Sequence, residues 1–327
     1  LRPRRVTCEQ QYLPYRHPLA ISRGVLNGDT VIVVTIFEGA IAGRGESCPS
    51  SRYQETAASV TTAIEQHIPA LEAGLNRTDL QRLMPPGAAR NAVDCALWDL
   101  EAKRTGKRIW DLVNRLAPRA TLCSQTIGLD TPEIMAAHAR AAWSPLLKLK
   151  VGGSGDIERV SAVHAAVPAA RLIVDANEAW TVEQLEQFPA VLLQLGVELI
   201  EQPLPAHKDD ALARISCPLP IAADESFHDS SMVEDVLGKY QWINIKLDKT
   251  GGLTEALRAR QAAEQAGLRV MVGCMGGSSL AIAPAMVVAA DVPLADLDAP
   301  QLLVRDREFG LRYEQGMLGP YGPELWG

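Results

Sequence analysis

Leu146-Leu147-Lys148-Leu149-Lys150-Val151 is the stretch from which the fold reads outward. Side chains alternate faces along an extended strand, so Lys148 and Lys150 share a face and stand side by side. Two ammonium groups that close repel and depress each other's pKa, which brings a neutral, basic lysine within reach near neutral pH. An isolated K-x-K is ordinarily a solvated strand edge. Here further apolar runs downstream also end in charged residues at similar intervals, and that repetition argues for a shared site.

From residue 120 onward, short apolar runs alternate with helical segments. The expected strands are 122–129, 146–151, 172–177, 197–202, 221–225, 242–247, 269–275 and 294–298, with helical segments such as 157–167, 182–195, 230–237 and 253–266 between them. Eight strands spaced by about 20–25 residues have the rhythm of a (β/α) barrel, and strands that turn polar only at their C-terminal ends deliver those residues to one face. A doubly wound open sheet is the rival, but no strand leads into a G-x-G-x-x-G turn. Gly152-Gly153-Ser154-Gly155 reads as a flexible loop, not a phosphate cradle.

Upstream, residues 1–50 read as a β-meander around the β-branched run 30–36, with residues 14–29 as a long hairpin loop carrying Arg23. Loops of that length are often lids or binding loops. Residues 54–115 turn helical, through Ala57, Val60, Ile64 and Ile68 and again through Ala92, Ala96, Leu97 and Leu100. Arg2, Arg4 and Arg5 read as a solvated end. After Pro300 the pattern returns to short β-like pieces.

The 327 residues suit one large barrel with a smaller companion domain. Hydrophobic residues at 47%, charged residues at 22% and a mean hydropathy of zero describe a soluble globular chain. A net charge of −7 with no basic stripe excludes a nucleic-acid partner, and no apolar run suggests a membrane span. Six scattered cysteines without a C-x-x-C pair suit free buried thiols in a reduced, cytoplasmic compartment. The first residue is Leu1, not Met, so one or more residues are expected to precede it, and no signal-peptide core follows it.

Three carboxylates close three successive strands: Asp175, Glu201 and Asp224. Gathered on one barrel face they would repel strongly unless a cation lay between them. An all-oxygen donor set selects a hard ion and suits octahedral Mg²⁺, while the absence of His and Cys at these positions disfavours zinc. The next strand ends at Lys246, with Lys249 expected out in the following loop. Lysines on the second and sixth strands lie across a barrel mouth from each other, flanking whatever the cation holds. A hydrogen α to a carboxylate is a very weak acid, and removing it builds an ene-diolate. A divalent ion can stabilise that charge, one lysine can take the proton, and a second can return one to the opposite face.

With these residues in view, the K-x-K, D-x-N, E-Q-P, A-D-E-S and N-I-K series resembles the enolase superfamily in its muconate-lactonizing-enzyme-like subgroup. It is most similar to the L-Ala-D/L-Glu (dipeptide) epimerases of murein-peptide recycling. The resemblance extends to residues 89–100, 244–257 and 295–300. It implies a (β/α)₇β modified TIM barrel at 118–300, an N-terminal α+β capping domain with its lid loop at 1–117, and a tail at 301–327 returning to the cap. It also implies a catalytic Mg²⁺ held by Asp175, Glu201 and Asp224, and Lys150 and Lys246 as the acid/base pair. Lys148 would help hold the substrate carboxylate and lower the pKa of Lys150. Asp296 and Asp298 would receive the free α-ammonium of a dipeptide, a charge that an N-acylated amino acid lacks. Arg23 resembles an arginine that pairs the glutamate side chain, and Thr126 would form part of the pocket wall.

The expected activity is therefore Mg²⁺-dependent epimerisation of L-Ala-L-Glu and L-Ala-D-Glu by two-lysine proton transfer, with a dipeptide as the small-molecule partner and a homo-oligomer left open. N-succinylamino acid racemase, o-succinylbenzoate synthase and muconate cycloisomerase share the lysines and the metal, and Asp296, Asp298 and Arg23 favour the dipeptide over them. A sugar-acid dehydratase would want a histidine where Cys274 stands. A non-catalytic binding barrel would be expected to have lost one of these five residues, and none is missing.

Overall fold

The computed structural model describes residues 3–327. Its first three strands, β1 (Arg4–Ile21), β2 (Gly24–Glu38) and β3 (Ile41–Ser47), form an antiparallel sheet in that order. The run 30–36 shows no polar alternation because β2 is covered on both faces. Ile32, Val34 and Ile36 pack with Val60, Ile64 and Leu97 of the cap helices, while Val31 and Val33 join the core that the cap shares with the barrel. Residues 14–29, expected as a loop, are largely paired. The register shifts between Pro14 and Leu19, and pairing resumes through Ile21↔Gly24, leaving Ser22 and Arg23 at the tip. Two prolines interrupt the ladder but not the hairpin. Arg4 is no solvated end either: its Nε lies 3.0 Å from Glu38 Oε2 across the sheet. Leu1 and Arg2 lie outside the described residues.

The cap's central helix, Ala88–Thr105, is buried on nearly all sides. Its alanines let β3 approach closely, and Gly43 and Gly45 complete the fit. A Cβ on Gly45 would come within 2.1 Å of the Ala92 carbonyl oxygen, and one on Gly43 within 2.2 Å of that of Ala96.

After the short β4 (Thr121–Leu122) come eight parallel strands: β5 (Gln125–Ile127), β6 (Leu146–Lys150), β7 (Arg171–Asp175), β8 (Val197–Glu201), β9 (Ile221–Ala223), β10 (Trp242–Ile245), β11 (Arg269–Gly273) and β12 (Leu294–Asp296). They pair in sequence from β5 to β12. The Cys123↔Ala295 bridge and Ser124 N–H donating to the Ala295 carbonyl at 2.8 Å join the ends into a ring. The first expected strand is thus split. Its beginning, β4, pairs instead with Met317–Leu318 (β14), which pairs with Tyr313–Glu314 (β13). Residues 230–237 form a 3₁₀ turn at Ser230–Met232 and a four-residue helix at Val233–Val236, not one helix.

Leu146, Ile173, Leu199, Ala222, Trp242, Met271 and Leu294 form an apolar floor inside the barrel. Two residues on, each inward position lies one layer higher, because strand side chains repeat every second residue. Those positions are Lys148, Asp175, Glu201, Asp224, Asn244, Gly273 and Asp296, and another step on β6 and β10 reaches Lys150 and Lys246. Their neighbours, such as Leu147, Leu149, Val174, Ile200 and Ile245, face outward into the core shared with the helices.

Further on, Trp326 is fully buried, and its indole N–H donates to the carbonyls of Arg44 and Cys95, both at 3.1 Å. All six cysteines are free thiols, with Cys48, Cys95 and Cys123 buried and Cys8, Cys217 and Cys274 half-buried. Among the described residues no helix is long and apolar enough to cross a membrane.

Gly45→Ala forces a methyl group into the backbone of the central helix. We expect a loss of about 1–3 kcal/mol or more in chemical denaturation, the range for overpacking. An unchanged midpoint would mean that the strand and helix can separate freely.

Candidate active site

The inward layer brings lysines and carboxylates together at the C-terminal mouth of the barrel. Lys148 is 1% exposed. Its Nζ lies 3.0 Å from Asp175 Oδ2, 2.8 Å from Glu201 Oε2 and 2.7 Å from Asp296 Oδ2. Burial alone would push its pKa down, but these carboxylates outweigh burial and hold it well above the ordinary lysine value. The expectation that two adjacent lysines depress one another is therefore corrected for Lys148, whose nearest charges are negative. Lys150 Nζ donates to Asp175 Oδ2 at 2.6 Å. Lys246 Nζ donates to Asp224 Oδ2 at 2.7 Å, and against the pull of burial Asp224 raises its pKa.

Lys249 is not out in a loop. Leu247–Thr250 forms one helical turn that carries it back beneath Asp224, where its buried ammonium donates to Asp224 Oδ1 at 2.6 Å. Burial, with Lys246 beside it, lowers its pKa despite Asp224. The i, i+3 spacing from Lys246 was the available signal, since one helical turn brings such residues together.

Burial would raise Asp175, yet Lys148 and Lys150 bring its pKa below the usual carboxylate range. The same contest, won by Lys246 and Lys249, holds Asp224 well below that range. Glu201 goes the other way: burial and neighbouring Asp175 push it up to about 7.

Among the described residues no three His, Cys, Asp or Glu side chains form a ready-made metal cage. Ammonium groups stand between the carboxylates and supply the positive charge. The donor set nonetheless fits a hard divalent ion. Glu201 Oε2 is buried and lacks a hydrogen bond of good geometry although Lys148 is near, and the buried Asn177 Oδ1 and Asn244 Oδ1 have no partner. Unmatched buried oxygens beside three carboxylates are what such a cation would satisfy.

Asp296 accepts from Lys148 and, at 2.7 Å, from Ser124 Oγ. Asp298 accepts from the Thr126 N–H at 2.6 Å and from its hydroxyl at 3.3 Å, so Thr126 orients Asp298 as well as lining the cavity. Burial and the nearby Asp296 push Asp298 up to about 6.

Arg23, at the hairpin tip, donates through Nη1 to Glu225 Oε1 at 2.7 Å and to the Asn177 carbonyl at 3.3 Å. Arg52 is bidentate to Glu178 at 2.6 and 2.7 Å. Asn177 and Glu178 both hold left-handed backbone angles, φ 43° and 71°, at the edge of this cluster. Sequence inspection missed Glu225, Glu178 and Arg52, because nothing local shows that a lid arginine finds its partners some 150–200 residues away. Lid, cap and barrel together enclose a cavity of about 550 Å³ lined by Arg23, Lys148, Lys150, Lys246, Asp296 and Asp298 among others.

The chain belongs to the enolase superfamily. Residues 134–317 match the enolase C-terminal domain-like family, and residues 4–114 match the mandelate racemase / muconate lactonizing enzyme N-terminal domain. The L-Ala-D/L-Glu epimerase of Escherichia coli (strain K12) is 44% identical over 96% of this chain and 99% of its own. The N-acetyl-D-glutamate racemase of Pseudoalteromonas sp is 39% identical over 91% and 95%. Among solved structures, an Agrobacterium tumefaciens enolase family member with homology to dipeptide epimerases, holding sodium and L-Ala-L-Glu, superposes with a TM-score of 0.97 at 46% identity, over 99% of this chain and all of that one. The Methylococcus capsulatus dipeptide epimerase, complexed with Mg and L-Arg-D-Lys, gives 0.91 at 30% identity, covering 100% and 99%.

Removing the ammonium of Lys148 leaves buried carboxylates without their nearest charge. Lys148→Met is expected to cost metal-free protein about 3–5 kcal/mol, the range for breaking a buried pair. Added Mg²⁺ should return part of that loss in thermal melts. Wild-type stability in the presence of a chelator would show that other charges compensate these carboxylates.

Proposed function

We propose that this chain is an isomerase that epimerises L-Ala-L-Glu and L-Ala-D-Glu at the glutamate α-carbon, in the cytoplasm and in murein-peptide metabolism. The observation that carries the proposal is the placement of Lys150 and Lys246. They end β6 and follow β10, opposite members of an eight-strand ring, and both line the cavity, Lys150 paired to Asp175 at 2.6 Å and Lys246 to Asp224 at 2.7 Å.

Asp175, Glu201 and Asp224 would hold Mg²⁺, which would supply electrostatic stabilisation to a substrate carboxylate gaining negative charge. The protein's own residues do the rest. One lysine Nζ removes the α-proton and the other delivers a proton to the opposite face, so the carbon inverts. Each lysine is tied to a carboxylate without ligand, at 2.6 Å for Lys150 and 2.7 Å for Lys246. The one acting as base must first give up that tie and its proton. Asp298 and Asp296 take the α-ammonium, and Arg23 takes the side-chain carboxylate. Among the described residues only Nη1 of Arg23 is engaged, so its Nε–Nη2 edge remains free for a second, bidentate contact.

The 39% identical N-acetyl-D-glutamate racemase supports a second reading, in which the substrate is N-acylated. Proton NMR in D₂O with Mg²⁺ separates the two. Exchange of the glutamate α-proton of L-Ala-L-Glu with appearance of the L,D epimer, and silence from N-succinyl-L-glutamate and N-acetyl-D-glutamate, is the expected outcome. Exchange confined to the acylated compounds would keep the proton chemistry and overturn the substrate.

Lys150→Ala and Lys246→Ala should each abolish epimerisation while leaving exchange of one epimer's α-hydrogen. Full two-way turnover in both variants would rule out a two-base mechanism. With burial and Asp296 holding the Asp298 pKa up to about 6, KM for L-Ala-L-Glu should rise as the pH falls through that region, and Asp298→Asn should remove this dependence. A KM flat from pH 5 to 8 would remove Asp298 from ammonium recognition.

A further inference from the structure

Two motif residues have no part in the chemistry above: Gln202 of E-Q-P and Ser226 of A-D-E-S. Gln202 is fully buried directly after Glu201, and its φ of 33° is left-handed, unusual for a residue other than glycine. That turn sends its carboxamide sideways beneath the end of β9. There Oε1 accepts from the backbone N–H groups of Asp224, at 2.9 Å, and Ser226, at 3.0 Å. Nε2 turns one hydrogen to the Leu204 carbonyl at 2.8 Å and the other between Ser226 Oγ at 2.8 Å and the Tyr240 hydroxyl at 3.0 Å. The two hydroxyls in turn donate to Asp209 Oδ2, each at 2.7 Å, while Lys239 donates to Asp209 Oδ1 at 2.8 Å.

The main chain of Gln202 is equally committed. Its N–H donates to the Ala222 carbonyl at 2.9 Å, and its carbonyl accepts from Glu178 N–H at 2.9 Å. One residue therefore grips three consecutive strand ends: the turn after Asp175, the end bearing Glu201, and the turn bearing Asp224. A leucine would fill a similar volume but would leave the two N–H groups of the Asp224 turn buried and unpaired, and that turn would move to satisfy them.

We propose that Gln202 is a positioning residue: held by Ser226, Tyr240 and Asp209, it fixes the separation of Glu201 and Asp224 and so sets the affinity of the mouth for a divalent cation. This rests on the cation site proposed above. The orientation of the carboxamide is the sensitive feature. Gln202→Glu keeps the shape but turns the donating end toward the Leu204 carbonyl as an oxygen, close to Asp209. Tyr240→Phe is milder, removing one hydroxyl that lies behind the carboxamide and touches neither substrate cavity nor carboxylate ligand.

The test uses the full chain, stripped with a chelator, checked by circular dichroism and titrated with Mg²⁺ by calorimetry. Gln202→Glu is expected to weaken Mg²⁺ binding about 10- to 100-fold, the range for groups that orient metal ligands, and Tyr240→Phe by a smaller factor in the same direction. At saturating Mg²⁺, KM for L-Ala-L-Glu should stay within about twofold of wild type, a separation that general loosening of the core would not produce. Wild-type Mg²⁺ affinity in folded Gln202→Glu overturns the proposal. If that variant does not fold, unaltered affinity in Tyr240→Phe does so. A wild-type chain that does not bind Mg²⁺ overturns both this inference and the cation site. One that binds Mg²⁺ and epimerises L-Ala-L-Glu, with both variants unaltered, overturns this inference alone.

Discussion

A single ammonium, that of Lys148, sets the terms for the barrel mouth. Taking an ion of that size out of water costs several kcal/mol even after relaxation. The carboxylates of Asp175, Glu201 and Asp296 carry the same cost, and only mutual proximity offsets it. Because those partners sit on β7, β8 and β12, the lysine on β6 draws together ends that neighbour pairing alone would leave independent. An apolar plug of equal volume would serve stability as well or better. A charged layer above an apolar floor is therefore not what stability alone would select.

The cap is bound into the same arrangement. Asp29 accepts from Gly277 N–H and from the Tyr15 hydroxyl, both at 2.8 Å. Glu46 accepts from Ser278 at 2.6 Å, and Asp248 accepts from Cys48 N–H and Asn91 at 3.1 and 2.8 Å. These contacts hold the base of the lid hairpin against the loop after β11 and the turn after β10. The hairpin itself is a paired ribbon, interrupted at the register shift between Pro14 and Leu19, and not a free loop.

Much of this was legible in the sequence because strand periodicity is local. An inward residue two places beyond a buried leucine or isoleucine must face the barrel interior, so Lys148, Asp175, Glu201 and Asp296 could be placed from their neighbours alone. What was not legible depended on distance or on a single turn. Lys249 changes from loop charge to buried partner through one helical turn. The paired state of residues 14–29 depends on long strand extensions, against which two prolines argue locally. Arg23, Glu178 and Glu225 meet only when the lid lies over the barrel. The expected depression of Lys148 failed for a related reason: its neighbour along the strand was visible, whereas the opposing carboxylates are brought in by three other strands.

The buried indole of Trp326 has a consequence in the order of synthesis. Arg44, Cys95 and Asp99 emerge from the ribosome more than two hundred residues before the segment that covers them, and Gly327 N–H then reaches Asp99 Oδ1 at 2.8 Å. The cap, translated first, therefore waits for the tail before its packing against the barrel is complete. Loss of that segment would uncover the carbonyls of Arg44 and Cys95 and the Asp99 carboxylate together, three partners drawn from a strand and a helix of the cap.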